Sequence, residues 1–434
     1  MDLMDEILKR LESLHPKIID LKLDRVERLL RKLGNPERSL PPVIHVAGTN
    51  GKGSTIAMIK AGLQSSGLKT HVYTSPHLVS FNERIEVGSK RISEDALKEV
   101  LTECENVNNF QPITFFEITT CAAFLAFSRQ AADYTLLEVG LGGEFDATNV
   151  IKNPALSIIT SISIDHKEYL GNSIREIAAA KAGIIKKNIP AIISKQSPTV
   201  KRILEKKCIE NSNEVIWAAD AFSVSNSRKS ITYKHRSRFI EFPFPNLIGK
   251  HQISNAMTAI SALIHLDIPV KYICDGLKNT YWPARLQKIE KGNLFNLITD
   301  YNVKNELWID GGHNADASVQ LKKSMNFINK KNLHVIYGSL KNKDHISFLK
   351  NLTVIASSLC VVDIEQQSSS LPKTEAVVVA KEAGWNKIQT AKNIREAIKY
   401  ICSKNDSYDS QVSILICGSL YLAGEALKQN DILI

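Results

Sequence analysis

Between Val43 and Thr55 the chain reads VIHVAGTNGKGST. An apolar run leads into a turn of Gly48, Thr49, Asn50, Gly51, Lys52 and Gly53, and Ser54 and Thr55 open a helical pattern. Glycines let backbone N–H groups approach an anion closely, and a helix N-terminus adds a favourable dipole. Lys52 can reach terminal phosphates, and the Ser54 hydroxyl can sit on Mg²⁺. Only two residues separate Gly48 from the Gly51-Lys52 pair, so the loop is shorter than the standard Walker loop. A plain strand-to-helix turn does not account for a lysine and two hydroxyls placed where a triphosphate and its metal need them.

Other residues carry chemistry in the same kind of place. Glu138 closes the apolar strand YTLLEV, at the carboxyl end where ligands gather in open α/β sheets. An acidic group there suits Mg²⁺ held through oxygen. Asp165 and His166 follow another strand. His166 alone reads as a structural histidine, but with Glu138 at an equivalent strand end a shared metal site is the better reading. Thr74-Ser75-Pro76-His77-Leu78, followed by Phe81 to Ile85, reads as a functional loop or a surface connection. Glu117 stands among phenylalanines, either at a helix end facing water or lining a ligand pocket. Lys181 lies in an alanine-rich helical patch, where a lysine can simply snorkel.

These residues need an α/β frame. Strands are expected at 43–46, 69–74, 134–139, 155–160 and 190–194, alternating with helices that include 114–127 and one opened by Ser173. A helix carrying Leu23, Val26, Leu29, Leu30 and Leu33 on one face is expected, capped by Asp20. Residues 222–244 read as a small antiparallel insertion, after which HQISNAMTAISALIHL returns to helix with Asn255 in its first turns. The helical pattern breaks at Tyr281-Trp282-Pro283-Ala284-Arg285, which puts the domain boundary between 284 and 285. The remainder alternates strand and helix, with strands at 306–310, 333–338, 354–362 and 413–418. The expected fold is thus a P-loop domain with a central, mostly parallel sheet, residues 1–284, and a smaller Rossmann-like α/β domain, residues 285–434. The second domain could close over the nucleotide and exclude water from phosphoryl transfer.

Length fits two or three domains at 434 residues, and 44% hydrophobic with 23% charged residues is that of a soluble globular protein. A net charge of +10 could signal nucleic acid, but the basic residues are scattered, which suits a handler of ATP and polycarboxylates. The seven cysteines form no CxxC pair and read as buried thiols in a reducing compartment. With no signal peptide and no apolar run long enough for a bilayer, a cytoplasmic protein with no membrane partner is expected.

The segments GTNGKGS, TSPHL with NERI, LLEVGLGG with DATN, the DH pair at 165–166, AKAG, HQISNA, PARL and DGGHN occur in this order. In this the chain resembles the folylpolyglutamate synthase/dihydrofolate synthase family of the Mur-ligase superfamily, above all its bacterial bifunctional members. The resemblance implies an ATP-dependent ligase for L-glutamate and either dihydropteroate or a reduced folate, working through an acyl phosphate. It implies nucleotide contacts from Asn50, Gly51, Lys52, Gly53, Ser54, Thr55, Asn255, Arg285, Asp310 and His313. It implies a metal set of Ser54, Ser75, Glu138 and His166, and catalytic roles for Lys52, His166 and Lys181. It also implies that Lys181 is carbamylated. Phe115, Glu117 and Asp146 become substrate-side groups, and the family leans monomeric. Two departures stand out: Glu144 and Phe145 occupy places where the family has Arg or Lys and then an apolar residue, and the segment after Val362 lacks an arginine-rich pattern. A cell-wall ligase of the same superfamily is the alternative, but only about 40 residues precede the P-loop where those enzymes place a UDP-binding domain. A nucleotide-switched nucleic-acid-binding protein would need aromatic-basic clusters, which the sequence lacks.

Overall fold

The computed structural model describes residues 3–17, 19–225, 227–235, 238–365, 367–405 and 411–431. The chain divides into two compact units. The first comprises Met1–His77, Phe81–Asn246 and Ile253–Thr280, and the second Leu78–Ser80, Leu247–Gln252 and Tyr281–Ile434. The division thus falls four residues before the sequence-based boundary, and two short segments upstream of it belong with the second unit.

The first unit is built on an eight-stranded sheet. Its strands are β1 (Val43–Ala47), β2 (Thr70–Tyr73), β3 (Ile85–Val87), β4 (Lys90–Arg91), β5 (Tyr134–Glu138), β6 (Leu156–Ile159), β7 (Ala191–Ile193) and β8 (Val215–Trp217). The order is β4-β3-β2-β5-β1-β6-β7-β8. From β2 to β8 every pairing is parallel, and only β3 and β4 add antiparallel strands at one edge. Parallel strands covered on both faces read as unbroken apolar runs, and β1 is buried at all five positions. One face carries the core of the helices Leu3–Ser13, Asp24–Lys32, Glu94–Asn108 and Phe115–Ser128. The same face, toward β7 and β8, carries the helices Ile174–Ala182 and Pro198–Glu210, since Val43 and Ala47 share it with Leu137, Ile159 and Ile193 in the strand register. Burying Phe124 or Phe127 fully contributes roughly 2–3 kcal/mol each before the entropy of ordering is counted.

The helix Phe115–Ser128 begins on a capping box: the Thr114 hydroxyl accepts from the Glu117 N–H, and the Glu117 carboxylate accepts from the Thr114 N–H. The helix Asp24–Lys32 is different from expectation. Its N-cap is Leu23, without a side-chain cap, because the Asp20 carboxylate is held by Arg25 at 2.8 Å. The helix Lys52–Ser65 crosses Val270–Asn279 at two glycines, where a Cβ on Gly276 would stand 2.5 Å from the Gly62 nitrogen.

The expected antiparallel insertion is a three-stranded sheet of β9 (Phe222–Ser225), β10 (Ser230–His235) and β11 (Arg238–Pro243).

The second unit is a six-stranded sheet of β12 (Gln287–Ile289), β13 (Glu306–Ile309), β14 (Leu333–Tyr337), β15 (Ser358–Val361), β16 (Ile388–Thr390) and β17 (Ser413–Cys417). The order is β12-β13-β17-β14-β15-β16, parallel except for β12. The expected strand 354–362 is shorter: β15 starts at Ser358, since Ile355 and Ala356 still hydrogen-bond back to Leu352 at the helix end. No helix among the described residues is long and apolar enough to cross a membrane.

Candidate active site

In the first sheet β1 lies between β5 and β6, and the chain leaves it in one direction toward β2 and later returns on the other side as β6. This is the switch point at which open α/β sheets bind ligands. Val46 pairs with Glu138 and Ala47 with Ile159, so the glycine loop, Glu138 and the segment after β6 emerge side by side.

The glycine loop is stitched to that segment. The Thr49 N–H donates to the Ser161 carbonyl at 2.8 Å, the Thr49 hydroxyl to the Ser163 carbonyl at 3.0 Å, and the Asn50 amide to the Ser163 hydroxyl at 3.3 Å. Gly48 must be glycine: a Cβ there would meet the Thr160 hydroxyl at 1.8 Å. Gly51 is the N-cap of the helix Lys52–Ser65 with φ +89°, and a Cβ on it would meet the Asn255 side-chain oxygen at 2.4 Å. Asn255, just over 200 residues away in sequence, therefore sits against the loop. In the first turn the N–H groups of Gly53 and Ser54 have no acceptor within the helix itself. Ser54 and Thr55 are buried, and the Thr55 hydroxyl has no partner among the described residues.

Lys52 lies over this loop. Its Nζ is 3.3 Å from the Gly48 carbonyl and 3.8 Å from the Glu138 carboxylate. Glu138 is buried and also accepts from the Ser75 N–H at 3.2 Å, which ties the end of β2 to the end of β5. His166 takes a left-handed conformation, φ 52°, at the start of the short helix Lys167–Leu170, with its Nε2 4.0 Å from the Asp165 carboxylate. Among the described residues no three His, Cys, Asp or Glu side chains converge. A divalent cation bound with a nucleotide takes one or two carboxylates and fills its remaining positions with phosphate oxygens and water. Ser54, Ser75 and Glu138 offer hard oxygen donors of that kind.

Lys181 is buried, 5% exposed, in the helix Ile174–Ala182. Burial, with the charge of Lys52 second, lowers its pKa to about 7, against the opposing pull of Asp165 and Asp146. It is not a snorkelling surface lysine. The loop that faces it approaches closely: a Cβ on Gly143 would lie 2.8 Å from the Ala180 carbonyl, and the Glu144 N–H donates to that carbonyl at 2.8 Å. Within that loop Glu144 and Phe145 are exposed while Asp146 is buried.

The substrate-side candidates divide. Phe115 meets Phe81 edge-on at 5.7 Å, and the Arg84 guanidinium lies 4.9 Å over the Phe81 ring and donates to His77 at 3.0 Å. Burial, then the Arg84 charge, drives His77 down to about 3, so it stays neutral beside that cation. Glu117 faces neither water nor an open pocket. Its two oxygens take the Arg25 guanidinium at 2.8 and 2.9 Å, besides the Thr114 N–H. Asp146 accepts from the Leu141 N–H, the Thr148 N–H and the Thr148 hydroxyl, so it orders its own loop.

In the second unit Asp310 follows β13. It accepts from the Leu286 and Gly312 N–H groups, each at 2.7 Å, fixing the DGGHN turn next to Arg285. Arg285 donates to the Ala284 carbonyl, and His313 Nδ1 lies 3.3 Å from the Gly311 carbonyl.

Sequence reasoning passed over Arg25 and His45, while Arg84, Thr148 and Ser163 lay in segments it singled out without a role of their own. His45 left a visible signal, a titratable residue inside the apolar run VIHVA. Arg25, beside Val26 in a helix with an apolar face, left a weaker one.

The chain matches the family Mur ligase middle domain over residues 46–263 and the family Dihydrofolate synthetase, C-terminal domain over residues 294–429. The dihydrofolate synthase/folylpolyglutamate synthase of Bacillus subtilis (strain 168) is 32% identical over 430 residues, covering 94% of this chain and 94% of the relative. Among solved structures, E. coli FolC in complex with DHPP and ADP has a TM-score of 0.85 at 27% identity, covering 98% of this chain and 97% of that one. Mycobacterium tuberculosis folylpolyglutamate synthase complexed with ADP has a TM-score of 0.86 at 28% identity, covering 99% and 98%.

Proposed function

The chain belongs to the dihydrofolate synthase/folylpolyglutamate synthase family, and from that premise we propose that it joins L-glutamate to dihydropteroate, to reduced folates, or to both, as an ATP-dependent ligase. The observation that carries the reading is the meeting, at one sheet switch point, of the glycine loop, Lys52 and Glu138, with a buried Lys181 near enough to feel the charge of Lys52.

A carboxylate oxygen of the pterin or folate substrate attacks the γ-phosphorus of ATP, and the bond to ADP breaks. The acyl phosphate formed is a far better acyl donor than the carboxylate. The neutral amine of L-glutamate then attacks the carbonyl carbon, phosphate leaves, and the amine's proton passes to solvent or a base. Asn50, Gly51, Gly53, Ser54 and Thr55 form the cradle for the phosphates, with N–H groups and the helix dipole stabilising their charge. Lys52 offers its ammonium to the transferring group. Ser54, Ser75, Glu138 and His166 would hold Mg²⁺, which when bound neutralises charge on the phosphate oxygens. Asn255 flanks the loop at Gly51, and Arg285, Asp310 and His313 are assigned to the nucleotide on the family resemblance alone.

Lys181 is assigned the carbamate. With a pKa of about 7 a substantial fraction is the free amine at neutral pH, the form that adds CO₂. Phe115 and Asp146 are assigned to the substrate side, whereas Glu117 acts at one remove by holding Arg25 and the helix start. The first compact unit then serves as the ATP domain and the second as the C-terminal domain. We place the enzyme in the cytoplasm, where its seven cysteines, none in a disulfide, stay reduced, and we read it as a monomer acting on small molecules rather than nucleic acid.

The test offers ATP, Mg²⁺ and L-glutamate with dihydropteroate or with a reduced folate. Glutamate-dependent ADP release with either acceptor is expected, and release with both establishes a bifunctional enzyme. No glutamate-dependent release with either would overturn the assignment.

A further inference from the structure

The centre of β1 holds a histidine where a buried parallel strand needs only an apolar residue. His45 is wholly buried, and its Nε2 lies 2.8 Å from the Thr148 hydroxyl. That hydroxyl lies 2.5 Å from the Asp146 carboxylate, which also accepts the Thr148 N–H at 3.0 Å. Counting hydrogens fixes the directions. Burial pushes the Asp146 carboxyl up, but the Leu141 and Thr148 N–H groups both donate to it, which favours the carboxylate; as a carboxylate it only accepts, so Thr148 gives it its single hydroxyl hydrogen. Thr148 then has only a lone pair for the histidine, and His45 must donate from Nε2. Burial drives His45 to about 3, so the ring is neutral, and Nδ1 is left as a buried acceptor with no partner among the described residues. An unsatisfied buried nitrogen costs stability that a leucine or valine in the same place would not. Positions at which a chain keeps such a cost are expected where function needs the polar group.

The line of bonds joins two parts of the active site. β1 delivers the phosphate loop three residues after His45, and Asp146 anchors the loop that packs on the backbone around Lys181. Asp146 is also among the charges that act on Lys181.

We propose that His45 and Thr148 are positioning residues that set the Asp146 carboxylate, and with it the acceptor-substrate side of the site, in register with the phosphate loop. The inference rests on the ligase reading and names residues that act through Asp146 rather than on substrate themselves.

The experiment uses the full chain. His45→Leu removes the donor and the unsatisfied nitrogen together. Native-state hydrogen exchange of β1 peptides is expected to be equal to or slower than in the wild type, while kcat/KM for the pterin acceptor falls about tenfold and KM for ATP stays within twofold. A residue with a purely structural role would not give lower turnover in an equally stable protein. Thr148→Val is expected to lose as much or more, Thr148→Ser to stay within threefold of wild type, and His45→Leu/Thr148→Val to be no worse than Thr148→Val alone, since the histidine works through the threonine. Wild-type acceptor kinetics in His45→Leu would overturn the proposal, as would single effects that multiply or a loss that falls on KM for ATP. Should His45→Leu not fold, the Val/Ser contrast at Thr148 decides by the same measure. Wild-type protein assayed alongside separates this outcome from failure of the ligase reading, which would leave no glutamate-dependent ADP release to compare.

Discussion

The buried ion pair between Arg25 and Glu117 gives a prediction in which two lesions are milder than one. The two side chains are 9% and 4% exposed, and the contact is bidentate. Changing Arg25→Met leaves the Glu117 carboxylate buried with no cation; breaking such a pair from one side costs about 3–5 kcal/mol. The cost is held to roughly 3 kcal/mol here, because the Thr114 N–H and the helix N-terminus still favour the carboxylate. Changing Glu117→Gln leaves Arg25 with Asp20, which is partly solvated, and costs about 2–3 kcal/mol. In Arg25→Met/Glu117→Gln no buried charge remains, and glutamine can complete the capping box as glutamate does. The double variant should therefore lie within about 1.5 kcal/mol of wild type, above either single variant. With two compact units a single melting temperature mixes transitions, so the measurement is native-state hydrogen exchange of peptides from the helix Phe115–Ser128. A loss of 3 kcal/mol appears as exchange on the order of 150-fold faster, provided the helix exchanges through opening of this unit. Additive losses in the double variant would refute the reasoning and show that the two residues act independently.

Three further outcomes follow from the site. Lys181→Met should abolish turnover yet stabilise the fold in CO₂-free buffer. The folded lysine titrates near 7 instead of 10.5, so the burial cost is full below pH 7, declines between 7 and 10.5 and vanishes above. The variant's gain, on the order of a few kcal/mol at pH 6, should fade over that window, and a pH-independent difference would exclude the shifted lysine. In the wild type, isotopically labelled bicarbonate should give a carbamate signal that Lys181→Met lacks. Gly143→Ala pushes a methyl group against the Ala180 and Lys181 carbonyls, so it should cost about 1–3 kcal/mol and lower kcat while ATP binding persists, and an unchanged kcat would show that the loop does not set Lys181. Glu138→Gln should raise the Mg²⁺ concentration for half-maximal activity by about tenfold or more, and an unchanged Mg²⁺ titration would remove Glu138 from the metal set.

What could be read from the chain depended on distance along it. The glycine loop is a local pattern, and its strand, turn and helix stand where its residues place them. The place of Glu138 at the end of β5, beside β1, was legible because it closes an unbroken apolar run. Asp20 and Glu117 were not legible, for one reason: each is claimed by Arg25, and Arg25 and Glu117 are 92 residues apart. A capping aspartate is a sound local inference until a buried guanidinium competes for the same oxygen. The short segments at Leu78–Ser80 and Leu247–Gln252 were likewise assigned by neighbours in sequence, whereas their packing places them with the second unit.

The stitching of Thr49 and Asn50 to Ser161 and Ser163 has a genetic consequence. The phosphate loop is not a self-contained cassette: part of its shape is encoded more than a hundred residues downstream. A lesion at Ser163 would therefore present as a nucleotide-binding allele although it lies outside the glycine motif. Second-site suppressors of mutations at Thr49 or Asn50 belong in the 161–163 segment, and transplanting the glycine loop alone into another sheet would carry over only half of what holds it.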